Sequence, residues 1–86
     1  MELTYHPKFK KQYKKLQPAQ RERFARALVL FKIQPNHPEP YNHPLIGQWK
    51  GHRSIAFGGD WRAHYLPKGD NEAYFVAIGT HNQLYK

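Results

Sequence analysis

The chain has 86 residues and a formal net charge of +8 at pH 7, because 14 Lys and Arg residues face only 6 Asp and Glu. This length predicts a single domain over residues 1–86 with one modest core, and it excludes a separate cofactor-binding domain. The sequence has no Cys, which excludes disulfides and thiolate catalysis, and it is polar from Glu2 onward, without a signal peptide or membrane-spanning run. We therefore expect a cytoplasmic protein.

The first half of the chain has helical patterns. A short opening strand is indicated at residues 3–5, and Pro7 suits the first turn of a helix, with His6 before it as a cap. Gln17-Pro18 ends that helix and begins another. Apolar residues recur at helical spacing in both helices, at Phe9, Tyr13 and Leu16 and then at Phe24, Ala27, Leu28 and Phe31. The pattern predicts a helical hairpin with a basic exterior, and such charge by itself is typical of a solvated face.

The second half has strand patterns. Residues 35–44 contain four prolines, which excludes a helix or central strand and predicts an extended connection that delivers His43 to the edge of a sheet. Strands are predicted at residues 52–57, 60–66 and 73–78, with turn signals between them. Short turns predict an antiparallel meander. The predicted fold class is therefore α+β, in the order βααβββ, with the helical hairpin packed on an antiparallel sheet and a short helical turn at the C-terminus.

Alternation along these strands predicts one apolar and one polar face of the sheet. The apolar set should pack on the helices: Ile55, Phe57, Trp61, Ala63, Tyr65, Tyr74, Val76 and Ile78. Phe75 and Ala77 should lie opposite. The polar face then collects Asp60, Arg62, His64, His52 and Ser54. One polar face is ordinary for an antiparallel sheet, but a carboxylate, a guanidinium and two imidazoles together make it a candidate site.

The basic excess indicates an acidic partner, with nucleic acid as the foremost class. A basic surface kept for solubility is the simpler alternative, and the scarcity of acidic residues makes it less attractive. No HExxH or comparable spacing is present, so we expect neither a metal nor another cofactor.

The C-terminal segment is the most informative part of the sequence. His81 and Tyr85 are four residues apart, directly after the last predicted strand. If the chain turns helical there, both side chains lie on one face. An imidazole and a phenol delivered together by a strand end form a plausible acid–base site.

These features resemble the RelE/ParE toxin superfamily, and most closely its YafQ-like branch of messenger-RNA-cleaving toxins from type II toxin–antitoxin systems. The matching segments are residues 42–45, residues 50–53, Asp60-Trp61, residues 79–81 and Leu84-Tyr85. The resemblance implies a RelE-like fold and an active site at His43, Asp60, Trp61, His81 and Tyr85.

The chain departs from the family pattern at two positions. The resemblance leads us to expect a catalytic His where the chain has Ala56 and an Arg where it has Ala77. Arg62 on the neighbouring strand is a candidate for the missing guanidinium, and His64 or His52 for the missing imidazole.

Metal-independent RNA cleavage needs a base, an acid, a cation for the phosphorane and a surface that orients the bases. Imidazole suits either proton transfer because its ordinary pKa of ~6.5 is close to neutral. We assign His81 as general acid, with His43 as a second proton-transfer group, and Asp60 either as a base or as the group that orients an imidazole. Arg62 is a candidate phosphate ligand, and Tyr85 is a candidate to orient the phosphate or to stack on a base.

Each assignment has a structural alternative. His81 can be a polar end to the last strand, Asp60 an ordinary turn residue, Arg62 an exposed strand residue, His43 a loop residue and Tyr85 an apolar anchor. The supporting RNA contacts are predicted at His64, His52, Trp61, Lys50 and Arg53, although Trp61 and Trp49 are more typical of packing positions.

The resemblance thus implies a ribosome-dependent endoribonuclease that cuts messenger RNA by 2′-OH attack. Its implied partners are an acidic antitoxin, messenger RNA and the 70S ribosome. Two alternatives stay open at this point. One is a ParE-like toxin that inhibits DNA gyrase without cutting RNA, and the other is a degenerate homologue that only binds an antitoxin.

Overall fold

The computed structural model describes residues 1–35, 37 and 42–85, and its described part has the predicted α+β class. N-terminal helices pack on a five-stranded mixed sheet, and a helical turn follows the last strand. The elements are β1 (Glu2–Tyr5), α1 (Pro7–Lys14), α2 (Pro18–Ile33), β2 (His43–Pro44), a 3-10 helix (Gly47–Trp49), β3 (Arg53–Ala56), β4 (Trp61–Lys68), β5 (Glu72–Thr80) and α3 (His81–Leu84). No helix in these ranges has the length and apolar character needed to cross a membrane.

The sheet has the strand order β1-β5-β4-β3-β2. The meander of β3, β4 and β5 is antiparallel as predicted, but β1 pairs with β5 in parallel, so the sheet as a whole is mixed rather than antiparallel. Turn signals report only hairpins between neighbouring strands, whereas the partner of β1 lies about seventy residues away in sequence. Residues 36 and 38–41 of the proline-rich connection lie outside the described residues, but the connection delivers His43 to the sheet edge as predicted, where it pairs with Ser54.

Local sequence signals place the helices. The Nδ1 atom of His6 accepts a hydrogen bond from the backbone N–H of Lys8 at 2.9 Å, which confirms the predicted cap of α1. Pro18 begins α2 as predicted. The apolar stripes of both helices meet the sheet in an aromatic core, in which the Phe31 and Phe75 side chains are fully buried.

An irregularity between β4 and β5 corrects the predicted faces of β5. The pairing register shifts between His64, which lies opposite Ala77, and Tyr65, which lies opposite Phe75. Val76 is the extra residue of this bulge, so the alternation of β5 reverses there. Phe75 therefore shares the core with Ile78 instead of opposing it, while Tyr74 contacts Lys68 and His6.

Helix α1 covers the part of β5 that β1 leaves unpaired. β1 pairs with β5 only as far as Phe75. Further along β5, the side-chain oxygen Oε1 of Gln12 accepts a hydrogen bond from the backbone N–H of Ile78 at 2.9 Å. This contact satisfies a donor that the sheet leaves open, and it holds α1 beside the end of β5 that leads into α3.

Candidate active site

Two cross-strand rows form the polar face of the sheet. The first row runs through His43, Ser54, His64 and Ala77 on β2, β3, β4 and β5. In the next row, Arg62 lies between Ala56 and Gly79. The prediction that His64, Arg62 and Ser54 share a face is confirmed by this register.

His64 lies at the centre of a cluster of imidazoles. Its side chain is fully buried, and its ring lies 4.5 Å from the Trp49 ring and 5.5 Å from the Tyr85 ring, measured between centroids. The pKa of His64 is lowered to about 4, chiefly by burial and then by the nearby His52, His43, His81 and Arg62 in that order. We call these five residues the His64 cluster.

The buried ring of His64 is neutral near pH 7 and has no partner for either nitrogen among the described residues. Ser54 Oγ and His52 Nδ1 are also buried without a hydrogen-bond partner among the described residues. A covered, neutral imidazole is poorly suited to exchange protons with a substrate. His64 therefore forms the buried floor of the cluster, with the other histidines around it.

A capping box positions His81 and Tyr85. The Thr80 hydroxyl accepts from the Gln83 backbone N–H at 3.3 Å, and Gln83 Oε1 accepts from the Thr80 backbone N–H at 2.8 Å. The following helical turn brings the rings of His81 and Tyr85 to 4.5 Å, as the four-residue spacing predicts. Burial raises the pKa of the Tyr85 phenol, and the positive charge of Arg62 opposes that rise, so Arg62 lies near the same ring.

Backbone contacts place Arg62 and Asp60 at the same end of the sheet. The guanidinium nitrogen Nη1 of Arg62 donates to the carbonyl oxygens of Gly59 at 2.7 Å and Trp61 at 2.9 Å. The carbonyl oxygen of Asp60 accepts from the His81 backbone N–H at 2.8 Å, and the Asp60 side chain is exposed. Four of the five predicted catalytic residues, His43, Arg62, His81 and Tyr85, thus surround His64, and Asp60 adjoins them.

A family model described as the YafQ bacterial toxin of type II toxin–antitoxin systems matches residues 1–86. The chain belongs to this family. The predicted resemblance to the YafQ branch is thereby confirmed.

Solved structures of YafQ proteins share the fold. YafQ from E. coli strain BL21(DE3) is 26% identical with a TM-score of 0.83, and the match covers 99% of this chain and 98% of that one. A chain of the E. coli DinJ-YafQ toxin-antitoxin complex is 28% identical with a TM-score of 0.77, covering 99% and 97%. A YoeB/ParE toxin from Agrobacterium tumefaciens, 18% identical with a TM-score of 0.78 over 94% and 99% of the two chains, shares the fold alone. The curated proteins contain no match.

Two of the predicted RNA-contacting residues, Trp61 and Arg53, lie on the helix side of the sheet. Trp61 packs against the core, beside Phe57. Arg53 lies opposite Tyr65, and its Nε atom donates to Asn42 Oδ1 at 2.8 Å while Asn42 Nδ2 donates to the Tyr65 hydroxyl at 2.7 Å. This network ties the end of the proline-rich connection to the sheet. Lys50 is exposed after the 3-10 helix, and His52 lies beside Trp49.

The sequence analysis did not predict three residues beside the cluster as site residues: Trp49, Gln12 and Gln83. Trp49 was assigned to packing, and it does pack, but against His64 and His52, with its indole N–H donating to the Leu84 carbonyl at 3.2 Å. Gln12 and Gln83 hold α1 and α3 in place. A Gln three residues after Thr80 is a recognisable capping-box signal, whereas Gln12 has no signal in the sequence because its partner is distant. In the ranges that the structure describes, no group of three or more His, Asp or Glu side chains is arranged to hold a metal ion.

Proposed function

We propose that this YafQ-family toxin is a metal-independent, ribosome-dependent endoribonuclease that cleaves messenger RNA and thereby arrests translation. The observation that carries the proposal is the convergence of His43, His81 and Arg62 on the buried His64, with the Tyr85 ring beside that of His81. This arrangement offers two proton-transfer groups and a permanent cation on the polar face of the sheet, as phosphodiester cleavage requires.

The proposed reaction begins at the 2′-hydroxyl of the nucleotide before the cut. A base takes the proton of this hydroxyl, and the 2′ oxygen attacks the adjacent phosphorus. The bond from phosphorus to the 5′ oxygen breaks, and an acid protonates the departing oxygen. The products are a 2′,3′-cyclic phosphate, which water can open, and a 5′-hydroxyl end.

His43 and His81 are suited to act from opposite sides of the scissile phosphate. His43 lies on β2 and His81 follows β5, so three strand spacings, about 14 Å at the backbone, separate the two elements. Side chains that lean inward from both sides leave room for one phosphate between them. His81 is the more exposed of the two and suits the acid, with His43 as the base.

Arg62 and Tyr85 are suited to hold the reacting phosphate. Arg62 keeps its guanidinium at a defined place through two backbone carbonyls, and this group can stabilise the charge of the phosphorane. Arg62 thus serves in place of the Arg that the family pattern leads us to expect at Ala77. Asp60 adjoins His81 through the backbone and is proposed to orient its imidazole.

The proposed partner is an acidic antitoxin. In the E. coli DinJ-YafQ complex the toxin is paired with an antitoxin. Here an apolar groove of about 500 Å³ runs between the two N-terminal helices, with basic residues at its rim. Its lining residues are Tyr5, Phe9, Tyr13, Phe24 and Leu28, with Lys10, Lys14 and Arg21 at the rim. An amphipathic segment with acidic flanks would match both features.

The test is to add the purified protein, stripped of antitoxin, to translating ribosomes and to map the messenger RNA ends. New 5′-hydroxyl ends within messenger RNA, matched by 2′,3′-cyclic phosphate ends upstream of the cut, support the proposal because 2′-OH attack leaves both. Inhibition of DNA gyrase without RNA cleavage would replace it by the ParE-like alternative. Antitoxin binding with neither activity would identify a degenerate toxin, as the residues Ala56 and Ala77 suggest.

A further inference from the structure

A second cavity opens beside the His64 cluster, with a volume of about 410 Å³. It lies between α1, the 3-10 helix, the end of β5 and α3. Its walls include Lys8, Gln12, Gln83 and Trp49. We call it the amide pocket. The Trp49 ring contacts the ring of His64, and His52 of the cluster also lines the pocket, so the pocket adjoins the cluster.

The amide groups of Gln12 and Gln83 have defined orientations. Each uses Oε1 to accept a hydrogen bond from a backbone N–H, of Ile78 and of Thr80 respectively. A backbone N–H can only donate, so the contacting atom must be the oxygen, and the NH₂ group points the other way. Neither NH₂ group has a partner among the described residues. Both glutamines line the amide pocket, so their NH₂ groups are donors within reach of a ligand bound there.

The ligand that suits this pocket is an anion with several acceptor atoms. Lys8 adds a cationic donor to the two amides, and the described lining contains no Asp or Glu. A nucleobase carbonyl would use the amide donors but would gain little from the ammonium group. A phosphate uses both, because its oxygens accept several charge-assisted hydrogen bonds at once.

We infer that the amide pocket binds a backbone phosphate of the RNA adjacent to the one that is cleaved. The inference rests on the proposed function for the identity of the RNA. Holding the neighbouring phosphate would fix the register of the chain, so that the scissile phosphate lies between His43 and His81. Gln12 and Gln83 are then positioning residues that also contact the substrate backbone.

Two isosteric substitutions test this inference. In Gln12→Glu and Gln83→Glu, a carboxylate oxygen can still accept from Ile78 or Thr80, but the NH₂ donor is replaced by an acceptor. Gln17→Glu is the matched control, because it makes the same charge change at the exposed start of α2, outside the pocket. Thermal unfolding of all three variants checks that the fold is kept.

The readout is binding of a short 2′-O-methyl RNA, which lacks the attacking hydroxyl, measured by NMR titration or calorimetry. We expect Gln12→Glu and Gln83→Glu each to weaken binding about tenfold, the scale of a lost charge-assisted hydrogen bond, and Gln17→Glu to weaken it by less than about twofold. Equal weakening by all three variants would overturn the inference, because general charge repulsion would then explain it.

Neutral methylphosphonate linkages, introduced one at a time, locate the contact. A loss of affinity at one linkage in the wild type, absent in Gln12→Glu, supports the pocket, whereas an even loss over all linkages overturns it. Inorganic phosphate should compete with the oligonucleotide in the wild type but not in Gln12→Glu. Competition by a neutral methylphosphonate dinucleoside instead would show that a base occupies the pocket and would overturn the inference.

These measurements need no cleavage, so they judge the pocket separately from the reaction. Position-specific binding by a protein that cuts no messenger RNA would refute the proposed function and retain the pocket. If the wild type cleaves messenger RNA but Gln12→Glu binds RNA like the control, the pocket is refuted and the proposed function is retained.

Discussion

The backbone N–H of His81 donates a 2.8 Å hydrogen bond to the carbonyl oxygen of Asp60, so the first residue of α3 is fastened to the start of β4. The position of His81 therefore depends on its backbone and leaves the imidazole available for chemistry.

His81→Gln should keep the fold and lower messenger RNA cleavage by about a hundredfold or more, the usual scale for a general acid. Single-turnover cleavage on ribosomes measures this, and thermal unfolding checks that the fold is kept. Cleavage at the wild-type rate by folded His81→Gln would remove His81 from the mechanism.

Arg62 should not tolerate even a conservative change. The single nitrogen Nη1 of Arg62 donates to both Gly59 and Trp61, which leaves the rest of the guanidinium for a phosphate. Lys has one nitrogen for all of these contacts, so Arg62→Lys should lower cleavage by at least about tenfold. The free energy of unfolding should change little, because both bonds are close to the surface. Arg26→Lys on the exposed face of α2 is the control. If Arg62→Ala cleaves normally, Arg62 does not replace the guanidinium missing at Ala77.

Gly79→Ala should destabilise the fold because an added Cβ atom would displace the Gln83 side chain. A Cβ atom at Gly79 would lie 2.7 Å from Gln83 Oε1, so Gly79→Ala must displace the side chain that caps α3. We expect a loss of about 1 kcal/mol in the free energy of unfolding, the usual contribution of a helix cap. Chemical denaturation of Gly79→Ala, Gln83→Ala and the double variant completes the cycle. Gly79→Ala should be neutral or stabilising once Gln83 is already Ala, and additive losses would show that the capping contact is not the cause.

Buried His64 should make the stability of the protein depend on pH. Its pKa is about 4 in the folded state and ~6.5 when unfolded, so the unfolded state binds the proton more readily between these values. The contribution of neutral His64 is therefore fully present above the unfolded pKa and is lost as the pH falls toward the folded one. His64→Leu should remove this term, because Leu has a similar volume and no unsatisfied nitrogen.

The measurement is the difference in free energy of unfolding between the wild type and His64→Leu. Carboxylates and the other histidines titrate in both proteins and largely cancel in the difference. When the pH is lowered from about 7.5 to about 5, the wild type should lose about 2 kcal/mol of unfolding free energy relative to His64→Leu. A difference that stays constant over this range would mean that His64 is solvated or finds a partner.

Binding to ribosomes or RNA should weaken steeply as salt rises, because much of the affinity of a +8 chain comes from phosphate contacts. Replacing the exposed Lys11, Lys14 and Lys15 by Gln should lower the slope of log affinity against log salt by up to about 1 for each lysine that contacts a phosphate. Single-turnover cleavage of the saturated complex should stay nearly normal. Lys68→Gln, which removes one positive charge beside Tyr74, is the control and is compared with each single lysine variant. An unchanged slope with lost cleavage would assign these lysines to the site or the fold.

Local signals in the sequence determined most of the secondary structure. Pro7 and Pro18 start helices because the fixed geometry of proline suits the first turn, and His6 also caps α1. The proline-rich segment before β2 is compatible only with an edge strand. The spacing of His81 and Tyr85 likewise predicted their contact, because one helical turn brings together residues four apart. The family-specific segments pointed to the same toxin family that the whole chain matches.

Only the tertiary structure decided which side chains share a site. One bulge between β4 and β5 moves Phe75 into the core, and strict alternation cannot show it because the extra residue is visible only in the pairing. The burial of His64 depends on Trp49 and Tyr85 from separate elements, which close over it when the chain folds. The amide pocket exists because Gln12 and Gln83 turn their oxygens toward unpaired backbone donors of β5, and a contact across 66 residues leaves no pattern in the sequence.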